Sequence, residues 1–297
     1  MRRAGAAWPA HGSRPVGGPA LNLGSAVGPV RVDRGVAQRA GCSAFPKVEL
    51  ESTMTASGHF RLSISKALTD QLHEHLHELT PVALSPANLA RLESSQGVYQ
   101  LYLLDDLVYV GSASSSIKRR LEQHRNKLAG RQHISADEVA FTCLYVDEDL
   151  TVLAPEDRLI RVFQDEGSCV WNGNGFGLHD PGRRRDETEI PPSHFDALYP
   201  IRLDWACEID RGQYELRVLL SRVKQELPFN FRYETTVRAK RDYAAVTVEV
   251  PRAGLPARAL LALIAAALPS YQVTALPGYV IMYRERRSYP QGEVIQG

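Results

Sequence analysis

Between Gly97 and Val110 the side chains alternate in two short runs. Val98, Gln100 and Tyr102 fall on one side of the first run, and Tyr99, Leu101 and Leu103 on the other. This is the period-two signature of a half-buried strand. Asp105 and Asp106 interrupt the pattern and Leu107 to Val110 resumes it. Two strands so closely linked predict a β-hairpin, which Gly111 is expected to end. The serines between Ser112 and Ser116 offer N-caps for a helix from near Ser115. Val139 to Val146 alternates as a third strand, and Leu153 to Phe163 reads as a helix whose Leu159, Ile160 and Phe163 would pack on the sheet. Upstream, a short strand from Phe60 leads into a helix with a stripe of Leu68, Leu72, Leu76 and Leu79. A short helix over 88–92 is expected in the link to the hairpin.

Downstream, Tyr214 to Leu227 reads as a helix, Phe229 to Thr235 and Tyr243 to Val250 as strands, and Pro256 to Leu268 as a helix. Strands are expected near Tyr271 to Ala275 and Tyr279 to Tyr283. The class is therefore α+β: a small three-stranded antiparallel sheet flanked by helices over 54–205, then a small α+β module over 206–297. The first 45 or so residues are rich in Gly, Pro, Ala and Arg, with Asp33 the only acid before Glu49. Residues 1–53 are expected to be a disordered tail upstream of a natural start at Met54.

Composition narrows this picture slightly. An apolar content of 44% over 297 residues can bury a substantial core. The formal charge is +1, and without residues 1–53 the chain holds 28 basic against 31 acidic side chains. Nucleic-acid binding would have to come from local patches. Cys42, Cys143, Cys169 and Cys207 lack CxxC spacing, which fits reduced thiols in a cytoplasmic protein. The longest apolar run, Ala259 to Leu268, is too short to span a bilayer.

One patch stands out. The helix after the hairpin carries Lys118, Arg119, Arg120, His124, Arg125 and Lys127, with Arg131 just past its end and Glu122 the only acid. Arg120 and His124, four apart, share a face. Two phenols, a guanidinium and an imidazole on a hairpin and its following helix suit an anionic substrate, above all a phosphodiester. A competing motif, His73-Glu74-His75-Leu76-His77, has the HExxH spacing of zinc hydrolases. No compelling third ligand follows it, and a polar helix edge is preferred.

Gly97-Val98-Tyr99 followed by Tyr109-Val110-Gly111 resembles the paired signature of the GIY-YIG nuclease superfamily. The resemblance covers roughly Gly97 to Asn172, in the order hairpin, basic helix, strand, Glu helix. It implies a GIY-YIG core, with Tyr99 as general base or water-orienting group helped by His124. Arg120 and Tyr109 would hold the scissile phosphate, Glu156 would bind Mg²⁺, and Asn172 would orient phosphate or Glu156. Ser112 stands where a basic residue often follows YIG, which favours a tyrosine base. The form Arg120-x-x-x-His124 and the segment Asn174 to Asp186, with Phe195 to Pro200 behind it, are similar to the type II restriction endonuclease branch whose characterised members cut CCGCGG. Membership of that branch implies double-stranded DNA as substrate, a homodimer on a palindrome, and a methyltransferase protecting host DNA.

Lys118, Arg119, Arg125 and the run Arg183, Arg184, Arg185 are the candidate DNA contacts. The clusters Arg238-Lys240-Arg241 and Arg284-Arg286-Arg287 could grip DNA backbone or equally keep a dimerisation module soluble. A GIY-YIG nuclease of repair or of a mobile element, and a non-catalytic DNA-binding protein on the same scaffold, are the alternatives.

Overall fold

The computed structural model describes residues 63–146, 156–165 and 167–297, with the side chains of Ile64, Ser65, Glu156 and Asp157 outside the description. The expected tail 1–53, the strand from Phe60 and the helix start at Leu153 lie outside the described residues. Phe60–Gly297 clusters as one compact unit.

Strands β2 (Gly97–Leu103) and β3 (Asp106–Ala113) form the hairpin. Leu104 and Asp105 connect them with φ of 49° and 73°, the left-handed pair that matches strand twist in a two-residue turn. The strand does not stop at Gly111, contrary to the sequence expectation. It pairs on to Ala113, with Tyr99 opposite Gly111. The glycine is a gap for the Tyr99 ring rather than a strand breaker. β4 (Val139–Tyr145) pairs antiparallel with β2, and a short β1 (Val82–Ala83) adds a fourth strand beyond the expected three, in the order β1-β4-β2-β3.

Side-chain alternation then assigns the two faces. Val98 and Val110 point to a core completed by Leu72 and Leu76 of α1 (Ile64–His77) and Leu159 and Phe163 of α4 (Glu156–Asp165). Tyr99 and Leu101 point the other way. They meet Ile117, Leu121 and Leu128 of α3 (Ile117–Ala129), Leu89 of α2 (Pro86–Ala90), and the aromatic set Trp171, Phe176 and Phe195. Ser63, Ser85 and Ser116 cap α1, α2 and α3 by accepting backbone N–H bonds.

A second core begins at Ile201. β5 (Gly212–Glu215) pairs with β7 (Thr247–Val250), so Tyr214 lies in a strand and the helix α6 starts later, at Leu216–Glu226. The expected strand from Tyr243 is also corrected. Thr236 caps a helix α7 (Val237–Ala244) whose Ala239 and Tyr243, four apart, are both buried, and only Thr247–Val250 is extended. Helix α8 (Ala257–Ala267) and the sheet β10-β8-β9-β6 complete the core, formed by Glu293–Ile295, Gln272–Ala275, Tyr279–Tyr283 and Asn230–Tyr233.

Two polar clamps tie this sheet to the hairpin half. Arg131 is 2.9 Å from Asp196 and donates to the carbonyl oxygens of Tyr199, Pro277 and Gly278. Asp186 sits in a 3-10 turn (Arg183–Glu187) ahead of the short helix α5 (Phe195–Leu198), and is 1% exposed. It accepts from Arg232 at 3.0 Å, from the Tyr279 hydroxyl at 2.7 Å and from the Tyr283 hydroxyl at 3.1 Å. Arg232 also pairs with Asp180 at 2.7 Å. Burial and these acids together hold Tyr279 and Tyr283 protonated, Tyr283 near 12. A carboxylate taken out of water needs every lone pair met, and here each oxygen has donors.

Breaking such a pair strands a buried charge. Asp186→Ala is expected to cost about 3–5 kcal/mol of unfolding free energy. Urea titration followed by fluorescence checks this, and a loss under about 1 kcal/mol would mean the clamp adds little to stability.

Candidate active site

The site is built on the diagonal between β2 and β3. Tyr99 and Tyr109 lie on the same face, with ring centroids 6.2 Å apart. A Cβ at Gly111 would stand 2.5 Å from the Tyr99 hydroxyl and 2.8 Å from Tyr109 Cε1, so only glycine leaves room for both phenols. The Tyr99 ring thereby reaches across the hairpin to α3. Its hydroxyl lies 2.8 Å from His124 Nε2, and both residues are buried.

His124 is enclosed on its other sides. Phe176 stacks on the imidazole at 4.8 Å and 12°, and Tyr109 meets it edge-on at 5.3 Å. Burial, reinforced by Lys127 and Arg120, pushes the imidazole down to about 3. The ring is therefore neutral at physiological pH. Its Nδ1 is buried without a hydrogen-bond partner among the described residues.

Helix α3 faces outward from this pair along a stripe of Arg120, Gln123, Lys127 and Arg131, which lines a cleft of about 1030 Å³. Lys127 fixes the loop opposite. Its ammonium donates to the carbonyl oxygens of Gly175, Phe176 and Gly177 at 3.1, 2.8 and 2.7 Å, and lies 5.4 Å over the Phe176 ring. Burial, with Arg131 next, lowers its pKa to about 7. Gly175 has a φ of 92°, and a Cβ there would lie 2.1 Å from the His194 ring, so the loop's close approach depends on glycine as well.

Of the residues named from the sequence, Tyr109, Arg120, Asn172 and Arg185 line this cleft. Tyr99 and His124 lie beneath it. Asn172 Oδ1 accepts from the Val110 N–H at 2.9 Å, and its Nδ2 donates to the Val110 carbonyl at 2.8 Å. The amide thus fastens its own segment to the strand that carries Tyr109. Glu156 opens α4, and its side chain lies outside the described residues; Ile160, one turn on, lines the cleft.

The other named arginines and lysines go elsewhere. Lys118 Nζ is 3.5 Å from the Ala90 carbonyl, Arg125 donates to the Leu84 carbonyl at 3.2 Å, and Arg119 is exposed at the start of α3. Arg183 pairs with Glu285 at 3.2 Å, and Arg184 is exposed. The clusters at Arg238 and Arg284 are not part of the cleft lining. Lys127, Arg131 and Phe176 are the residues missed as site components. Continuing the Arg120–His124 face by helical spacing would have found the first two.

At His73 and His77 the Nε2 atoms are 3.1 Å apart and both rings lie against Phe163. Among the described residues no group of three His, Cys, Asp or Glu side chains is placed to hold a metal ion. Glu156, the metal ligand that the sequence resemblance implies, offers carboxylate oxygen of the kind that suits a hard, mostly hydrated cation. Cys143 and Cys207 are free thiols, and no described helix is long and apolar enough to cross a membrane.

Two measurements test the geometry. Gly111→Ala should displace the Tyr99 ring and lower activity at least tenfold while costing about 1–3 kcal/mol of stability; wild-type turnover in the variant would mean Tyr99 placement is not critical. The folded pKa of His124 lies below its unfolded value of about 6.5, so the unfolded chain binds the extra proton. The stability this linkage provides is complete above about pH 6.5 and is lost as pH falls toward about 3. Urea midpoints at pH 7 and pH 4.5 should differ less in His124→Phe than in wild type.

No curated protein matches the chain. Residues 105–227 match the family model described as the Eco29kI GIY-YIG domain. That match runs from the hairpin turn through α6, and β2 with Tyr99 completes the hairpin in the fold. Residues 105–227 of this chain are a GIY-YIG domain of the Eco29kI restriction-endonuclease family, whose members hydrolyse DNA phosphodiesters.

Proposed function

We propose that the protein is a type II restriction endonuclease that hydrolyses both strands of a GC-rich palindrome, with CCGCGG the first sequence to test. In this reading it acts as a homodimer in the cytoplasm with Mg²⁺, beside a methyltransferase that protects host DNA. The observation that carries the reading is convergence. Tyr109 from β3, Arg120 from α3 and Asn172 from the loop after α4 line one cleft, directly above the buried Tyr99–His124 pair.

Hydrolysis of a phosphodiester requires an activated water, neutralised charge on the phosphorus and a stabilised leaving oxygen. Arg120 supplies a fixed cation for the non-bridging oxygens, and the Tyr109 hydroxyl donates beside it. Asn172 acts by holding β3 in register through its two bonds to Val110. Tyr99 is the water-orienting base. A neutral imidazole protonated at Nε2 donates to the Tyr99 oxygen and leaves Nδ1 as an unmet acceptor, a smaller penalty than an orphaned buried N–H. That hydrogen bond, with the Arg120 charge nearby, stabilises Tyr99 as a phenolate once its own proton has left to solvent, and a His124 held near 3 is no sink for a proton. The Tyr99 phenolate, not His124, then takes the proton of the attacking water. Glu156 is the residue to hold Mg²⁺, which when bound supplies Lewis acidity on the leaving side.

Digestion of unmethylated plasmid with Mg²⁺ tests the whole reading. Discrete fragments are expected from wild type, with at least a thousandfold loss in Tyr99→Phe and in Glu156→Ala, the latter still binding DNA. Full cutting by either variant would overturn its assignment, and a smear from wild type would replace a site-specific enzyme with a non-specific one.

A further inference from the structure

The cleft has a second wall that does not come from the hairpin half. Lys224, near the end of α6, and Asn230, the first residue of β6, line it together with Arg120, Lys127 and Arg185. The turn between them is seated on the basic helix itself. A Cβ on Gly130, the C-cap of α3, would lie 2.4 Å from the Pro228 ring. The wall is therefore fixed in place relative to Arg120, and the Asp186–Arg232 clamp holds the strand behind it.

Lys224 and Asn230 are exposed. Among the described residues no carboxylate lies within ion-pair distance of Lys224, whose charge helps to lower the pKa of Asp180 and whose ammonium lies 5.6 Å over the Tyr233 ring. The Asn230 amide makes no hydrogen bond to any described residue, and β6 is the outer strand of its sheet. Arg120 and Lys127 are seven residues apart on α3, or about 10 Å at the helical rise, which spans about three base-pair steps of duplex. Arg120, Arg185 and Lys224 thus offer cations from three elements around one channel. The acid on its lining is Asp196, already engaged by Arg131. A polyanion that runs along the channel can meet cations from all three elements.

We propose that the α6–β6 turn, where the family match ends at residue 227, is the second wall of the DNA channel: Lys224 grips a backbone phosphate and Asn230 presents its amide to the same duplex. This rests on the nuclease reading and assigns α6, at the end of the matched segment, and β6, just beyond it, a part in binding that the hairpin half alone does not have.

The test uses the full chain in EDTA on a duplex fragment carrying a site that wild type cuts, titrated at several salt concentrations. Lys224→Ala should bind about tenfold more weakly, with the slope of log K against log salt reduced by about one. Asn230→Ala should bind several-fold more weakly with the slope unchanged. Arg252→Ala, in the loop after β7 and not part of the cleft lining, should match wild type. Wild-type protein that neither binds nor cuts DNA would remove the nuclease reading and this inference together. Wild-type cutting with Lys224→Ala and Asn230→Ala unchanged, or Arg252→Ala as impaired as Lys224→Ala, would overturn the second wall alone.

Discussion

The contact between Tyr99 and His124 crosses from sheet to helix, and much of the architecture serves it. Gly111 leaves the space the phenol occupies, Phe176 covers the imidazole, and Lys127 anchors the loop that carries Phe176. None of these residues acts on its neighbour through bulk hydrophobicity alone. Each is a specific fit: a missing Cβ, a stacked ring, an ammonium shared among three carbonyl oxygens. A neutral, buried imidazole is the result, and its neutrality is what allows it to support a phenol without competing for a proton.

The second constraint is the pair of polar clamps that join the two cores. Arg131 with Asp196, and Arg232 with Asp180 and Asp186, are ion pairs withdrawn wholly or partly from water. Pairs of this kind contribute little net stability compared with an apolar contact, but they fix geometry because the penalty for separating them is large. Here the geometry they fix is that of a cleft. The loop from Asn174 to Asp186 is held by both halves, so the basic helix on one side and the α6–β6 turn on the other keep a defined separation.

The same network explains why the arginine run divides as it does. Arg183 is drawn to Glu285 and stacks 4.5 Å over the Tyr283 ring, Asp186 is buried on Arg232, and only Arg185 is left to line the cleft. Three consecutive cations in a 3-10 turn cannot share one direction, since successive side chains are turned by about a third of a circle. A basic run in a sequence is therefore a statement about charge in a neighbourhood, and not about which charge meets the ligand.

By itself the sequence determined the local elements and the family chemistry. Alternation specified β2, β3 and β4, serine caps and a polar stripe specified α3, and the order hairpin, basic helix, strand, Glu helix carried the nuclease resemblance. These features depend on neighbours in the chain, through backbone periodicity and capping. What failed was also local in origin: Tyr214 and Tyr243 have side chains suited to either state, and strand pairing with β7 or burial beside Ala239 decided them. Tertiary structure alone decided that Gly111 continues a strand, that Lys118 and Arg125 turn away from the cleft while Lys127 holds a loop, and that the C-terminal module forms a wall of the cleft. Those outcomes depend on contacts between residues far apart in the chain, such as Asp186 with Tyr283 at a separation of 97 and Arg131 with Gly278 at 147, and no window along the chain contains both partners.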